Sequence, residues 1–198
     1  MTTIDAHKQL LEEHRHLQER YQVLQRLLHL FGAPEDFELV FDGVLDVTLH
    51  AFDAAAGTFY GFDAEEEELY FASVRGPKAD EVLALDLTIK PGQGLAGACF
   101  QERRVIAVSD AHKDPRFSKE ISEAVGYEVH SVLCTPLVNE GECYGVLQLL
   151  NKQRGSAFTS EEVSFAKQLG QSVGGLLRLG LELRELQLHA GHAEEANS

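Results

Sequence analysis

From Asp5 to Phe31 the chain carries no Gly or Pro, and its apolar residues return every seven positions. Leu10, Leu17, Leu24 and Phe31 form one line, with His7, His14, Tyr21 and Leu28 forming a second. That repeat predicts a helix with a heptad seam, imperfect where histidine takes an apolar place. Gly32 and Pro34 close it, because glycine suits a helix end and proline cannot continue one. A solvated helix of this length calls for a partner, so the seam predicts self-association rather than packing on its own domain. A second helix is expected from Glu35 to about Phe52, with Val40, Phe41, Val44, Leu45, Thr48 and Leu49 on one face.

The period then changes from helical to alternating. Gly57–Phe62 and Glu68–Val74 read as two strands joined around an acidic tip, Asp63 to Glu67. Leu83, Leu85, Leu87 and Ile89 alternate, which predicts a third strand closed by Pro91-Gly92. A short helix follows from Gly92 to about Arg103, then a brief strand from Arg104 to Ser109. A long connection from Asp110 to Gly126 holds a short helix. His130–Leu137 and Cys143–Leu150 complete six strands, linked through the turn Asn139-Glu140-Gly141-Glu142. Thr159 opens the last helix with Glu161 and Glu162 in its first turn, a capping box. Leu169, Ser172, Leu176, Leu179, Leu183, Leu186 and Ala190 make a second seam along it, while Val173, Leu177 and Leu181 are placed to meet the sheet. Strand hairpins with helices between them predict an α+β fold, a six-stranded antiparallel sheet with helices on both faces.

Composition narrows the function classes. Seventeen basic residues against 32 acidic ones leave a formal charge of −15 over 198 residues, a field that disfavours nucleic acid and anionic membrane surfaces as partners. No apolar run reaches the roughly 20 residues that cross a bilayer, and the N-terminus lacks a signal pattern, so a cytoplasmic location is expected. Cys99, Cys134 and Cys143 are odd in number and sit among apolar neighbours, which predicts buried thiols rather than a disulfide. Nine scattered histidines have no partners at metal-ligand spacing, and no metal is expected.

Three blocks carry a family resemblance. They are Pro91-Gly-Gln-Gly-Leu-Ala-Gly97, the segment from Val108 through Asp110 and Pro115 to Phe117, and Ser131–Leu137 continuing through Gly145–Lys152. In order and spacing the chain resembles the GAF family, and within it the cyclic-nucleotide-binding domains of phosphodiesterases. The resemblance implies a GAF/PAS-like sheet, and the heptad seams on both long terminal helices predict that they join two copies in a helical bundle. It divides the chain into an N-terminal signalling helix (1–32), the GAF domain (33–178) and a helix extension with a tail (179–198).

The resemblance also implies a pocket. Ligand contacts would come from Leu95, Ala96, Ser122, Val125, Val129 and Gln148, beneath a loop that begins at Asp110 and in which Phe117 supplies apolar cover. A cyclic nucleotide is the first candidate ligand, although Val125, Val129 and neutral Gln148 offer a purine edge few hydrogen-bond partners. The family's Asn-Lys…Phe…acidic-pair motif corresponds to Asn151, Lys152, Phe158, Glu161 and Glu162. Here the acids are Glu-Glu and stand one residue nearer the Phe. Lys152 is expected to pair with Glu161 or Glu162 and hold strand to helix. A related fold reduces free methionine sulfoxide with a pair of thiols, but no Cys occupies the corresponding positions, so no such catalysis is expected. The expected protein is a dimeric sensory module, not an enzyme. It pairs through Leu10, Leu17, Tyr21, Leu24 and Leu28 at one end and Leu176, Leu179, Leu183 and Leu186 at the other, and its downstream partner is unidentified. The alternative is an interaction scaffold whose pocket is filled by its own side chains.

Overall fold

The computed structural model describes residues 3–31 and 37–195. Two helices come first, α1 (Thr3–Phe31) and α2 (Phe37–Phe52). They are followed by a hairpin of β1 (Ala54–Asp63) and β2 (Glu68–Arg75). Next come the short α3 (Ala79–Leu83), β3 (Thr88–Ile89), α4 (Gly94–Glu102) and β4 (Ile106–Val108). After a single 3₁₀ turn at Ala111–Lys113 stand α5 (Glu120–Val125), β5 (Val132–Asn139), β6 (Glu142–Lys152) and α6 (Ser160–Glu195). The six strands form one antiparallel sheet in the order β3-β2-β1-β6-β5-β4.

Turn chemistry fixes the two long hairpins. Asp63 Oδ1 accepts the N–H groups of Glu65 and Glu66, folding the acidic tip between β1 and β2. Glu140 and Gly141 both have positive φ, the requirement of a two-residue hairpin turn between β5 and β6. Pro136, which has no N–H to give a ladder, sits at the register shift in β5.

Alternation along the strands sends neighbouring side chains to opposite faces. Phe59, Leu147, Leu149, Leu133 and Leu137 face α2 and α6 and are buried with Val44, Leu45, Leu169 and Val173. Two aromatic pairs tie this layer, Phe41 on Phe59 at 4.5 Å and Phe52 on Phe165 at 5.5 Å. Thr48 is buried in α2 and satisfies its hydroxyl on the carbonyls of Val44 and Leu45, so a polar residue on the apolar face costs little. Helix α6 lies almost on the backbone of β5: a Cβ at Gly170 would come 2.4 Å from the Pro136 carbonyl oxygen, so only glycine fits there. The opposite face of the sheet meets α4, α5 and their loops.

Two sequence expectations change. Leu83–Ile89 is not one strand: Leu83 ends α3, Asp86 takes a positive φ, and only Thr88–Ile89 pairs with β2. The alternating leucines are therefore split between a helix end and a turn, and Leu83 and Leu87 face solvent. In α6, Leu169 belongs to the core with Val173 and Leu177, because the helix presents one continuous i, i+4 stripe to β5, while Leu181 is exposed beyond the end of the sheet. The α1 seam does not serve the domain's own core. That contact is made by Leu27 and partly buried Val23, and by Arg20 over the Phe165 ring. Leu10, Leu17, Tyr21 and Leu28 are 60–65% exposed, and Leu24 is half-buried. In α6, Leu176 is half-buried and Leu179 and Leu183 are about half exposed, while Leu186 lies outside the residues whose side chains are described.

Candidate ligand-binding site

The second face of the sheet is only partly packed. Between it and the short helices lies a cavity of about 110 Å³. Thr58 and Tyr60 of β1, Phe71 and Val74 of β2, and Gln148 and Leu150 of β6 make the floor. The wall is the start of α4, Gly94, Leu95 and Ala96, where the first N–H groups of a helix have no partner within it. Phe117, Ile121, Ser122 and Val125 cover it from one side, Ala79 and Val82 from the other. The two cover helices, α3 and α5, are five and six residues long, and neither contains a fully buried residue. A cover held by so little apolar contact is the part of the fold that opens at least cost.

Of the residues expected to touch ligand, Leu95, Ala96, Phe117, Ser122, Val125, Val129 and Gln148 all line this one cavity. Asp110 does not. Its carboxylate points to Lys113 Nζ at 2.8 Å, and that hydrogen bond holds it below the usual carboxylate range. It lies at the entry to the 3₁₀ turn, which Ala111 N–H fixes to the His130 carbonyl at 2.7 Å. The cover loop is braced by Arg116, whose guanidinium and backbone N–H all bond Asp114, and by the His112 ring set edge-on to Phe117. Ser122 spends its hydroxyl proton on the Lys119 carbonyl, 2.9 Å away.

The polar centre of the floor is a chain of three groups. Tyr60 Oη donates to Gln148 Oε1 at 3.3 Å, and Gln148 Nε2 donates to Cys134 Sγ at 3.4 Å. Burial pushes the Tyr60 phenol far above its ordinary value and the Cys134 thiol up to about 12. Cys99 is raised further, also by burial. Both thiols and the phenol stay protonated near neutrality, so none is an activated nucleophile or base. Cys143, on the hairpin, is buried and free as well. Among the described residues no group of three or more His, Cys, Asp or Glu side chains has metal-ligating geometry.

The Asn-Lys…Phe…Glu-Glu motif sits beside the cavity rather than in it. Asn151 has a positive φ and staples the end of β6: its Oδ1 accepts His130 N–H at 2.7 Å and its Nδ2 donates to the Glu128 carbonyl at 2.8 Å. Lys152 Nζ bonds Glu162 Oε1 at 2.6 Å and the Phe52 carbonyl at 2.7 Å, joining β6, α6 and the end of α2. Glu162 also accepts Thr159 N–H while Thr159 Oγ1 accepts Glu162 N–H, the reciprocal capping box. Phe158 is buried in the helix-side core. Glu161 is the acid left at the surface, with Ser160 as its hydroxyl partner.

Sequence reasoning missed Thr58, Tyr60, Phe71, Val74, Arg75 and Lys78. The strand alternation carried a signal for the first two, since Thr58 pairs with Gln148 across β1 and β6. Arg75 and Lys78 gave none: Arg75 is placed by acids of α2 far back in the chain, and Lys78 by the short helix α3, which the sequence pattern did not mark.

Comparison with known proteins places this geometry. A family model described as "GAF domain" matches residues 36–177. A cGMP-specific 3',5'-cyclic phosphodiesterase of Drosophila erecta is 35% identical over 98 residues, which are 49% of this chain and 8% of that protein. The chain thus corresponds to a small part of the length of such relatives. The GAF domain of a phosphoenolpyruvate-protein phosphotransferase from Coxiella burnetii superposes with a TM-score of 0.72 at 21% identity, over 85% of this chain and 98% of that one. A free methionine-R-sulfoxide reductase from Neisseria meningitidis, solved with its substrate, shares the fold at a TM-score of 0.66 and 19% identity, over 83% and 91% of the two chains.

Proposed function

The chain belongs to the GAF domain family, and from that premise we propose that it is a regulatory module that takes a small molecule into the cavity and reports it through its terminal helices. The observation that carries the reading is that seven of the residues expected from the resemblance line one covered cavity with a helix start at its wall. A cyclic nucleotide is the first ligand to try, because the 35%-identical relative is a cGMP-specific enzyme. The floor's donors and acceptors are few: Thr58, Tyr60 and Gln148, with the last two already bonded to each other. A purine seated there must exchange for that bond, which limits affinity to what the remaining contacts supply.

We read the module as non-catalytic. The thiols are buried with raised pKa values, and Tyr60 is protonated, so the chemistry of the sulfoxide reductase that shares the fold has no reacting group here. The output runs through α1 and α6, whose seams leave Leu10, Leu17, Tyr21, Leu28, Leu179 and Leu183 exposed. Two copies pairing along both helices would cover them in a four-helix arrangement.

Thermal unfolding against cyclic GMP, cyclic AMP, cyclic dinucleotides, nitrate and 2-oxo acids tests the ligand claim, since a ligand of the native state raises the melting temperature. A flat response to the whole panel, with no co-purified compound by native mass spectrometry, favours the second reading. In that reading the apolar cover of Ile121, Val125 and Val129 closes a scaffold that pairs without ligand. Sedimentation at micromolar concentration tests the pairing, and a monomer there removes it.

A further inference from the structure

The chain carries 32 acids against 17 basic residues, yet among the described residues no Asp or Glu lines the cavity. Its two charged lining residues are both cations, Arg75 at the end of β2 and Lys78 just before α3. Both are partly exposed, which sets them where the cavity opens to solvent. Each is paired on its outer side. Lys78 Nζ meets Glu81 at 2.8 Å, and Arg75 meets Asp42 at 2.7 Å and Asp46 at 2.9 Å, both on α2. Ser73 Oγ donates to the same Asp42 carboxylate at 2.5 Å, so β2 and α2 are laced together by one guanidinium and one hydroxyl. With the Val74 carbonyl included, these contacts use three of the five guanidinium N–H groups.

We propose that Arg75 and Lys78 form the anion-receiving end of the cavity, and that Arg75 passes its occupation to α2. This rests on the cavity being a ligand site, and it adds where the ligand's charge sits and which helix feels it. An acidic group at the mouth competes with Asp42 and Asp46 for a cation that cannot be deprotonated, and planar anions match its fork. The two N–H groups left over can meet the anion first, and turning the guanidinium inward to complete the fork draws Nε and Nη2 away from Asp46 and Asp42. Helix α2 packs directly on α1, so the disturbance arrives at the N-terminal seam. Lys78 holds only an exposed neighbour of its own short helix. It therefore adds attraction without a route to α2.

The test uses the full chain and two dyes that share one apolar body, anilinonaphthalene sulfonate and its neutral parent phenylnaphthylamine. Val125→Trp, which fills the cavity, identifies the bound fraction that is inside it. The expected result is cavity binding of the sulfonate about tenfold tighter than of the neutral dye, the worth of one charge-assisted hydrogen bond. Lys78→Gln should cut that preference, and Arg75→Gln should cut it further. Bound sulfonate should speed amide exchange around Asp42 and Asp46, the neutral dye should not, and Arg75→Gln should abolish the response while Lys78→Gln keeps it. Lys78→Gln touches no contact with α2, so it reads the preference even if Arg75→Gln loosens the fold. Equal affinity for the two dyes, both blocked by Val125→Trp, overturns the inference and leaves the cavity as a ligand site. Tight sulfonate binding with unchanged exchange in α2 overturns the relay. Binding indifferent to Val125→Trp takes down the inference and the ligand reading together.

Discussion

Thr58, Phe59 and Tyr60 are consecutive in β1, yet they serve two different environments. Phe59 is sealed beneath α2 and α6 among leucines and valines, with Phe41 stacked on it. Thr58 and Tyr60 look the other way into a cavity whose cover is two short helices. One face is packed by two long helices, while the other has its own smaller core with a cavity left beside it. The lesson is that a sheet one residue thick can separate stability from binding, because its period of two gives each task its own set of side chains.

The contrast can be broken by substitutions on each side. Leu169→Ala, in the dense face, should cost about 2–5 kcal/mol, whereas Ile121→Ala in the cover should cost under about 1 kcal/mol; chemical denaturation of both variants decides, and equal losses would erase the distinction. Lys152→Met comes next. It leaves Glu162 partly buried with the Thr159 N–H alone and frees the Phe52 carbonyl, for an expected loss of about 2 kcal/mol by the same measurement. Tyr60→Phe removes one hydrogen bond from the floor and should cost about 1 kcal/mol or less, while changing the response to ligand more than it changes the melting temperature. The smallest effect is on acid stability. The Arg75 guanidinium, and secondarily the Ser73 hydroxyl, hold the Asp42 carboxyl below its usual range. A depressed folded-state pKa contributes stability above the unfolded value near 4 that is lost as pH falls through the folded one. Asp42→Asn should therefore lower stability at pH 7, where the contribution is fully present, and flatten the profile below about pH 4, where the unchanged protein loses it.

Much of this arrangement was legible in the residues. Short apolar and β-branched runs between turn residues located five of the six strands, and the heptad steps located both terminal helices. The cavity wall and cover residues followed from a resemblance carried on Pro91–Gly97 and Ser131–Lys152. The capping box named the start of α6, and the structure decides between Glu161 and Glu162 as partner of Lys152. What failed did so for stated physical reasons. Leu83 to Ile89 has the period of a strand, but a positive φ at Asp86 interrupts it, and no local pattern distinguishes a turn there from an extended run. Asp110 belongs to a loop whose course depends on the His130 carbonyl, twenty residues on. Arg75 lies at a strand end and binds acids on a helix 29 to 33 residues earlier, a contact no windowed reading reaches.

Helix α6 has one more property that follows from its length and its seat. Its first half, through Leu177, lies in the core, and Gly170 brings it against the backbone of β5. The 18 residues from Arg178 to Glu195 continue past the sheet for about 27 Å. A seat that close permits tilting with the sheet but resists sliding or turning about the helix axis. The overhang is then a lever: a tilt of about 10° at the seat carries its far end about 5 Å, nearly one helical turn. Seat and overhang are of equal length, so a displacement of β5 or β6 that tilts the seat is carried to the far end undiminished.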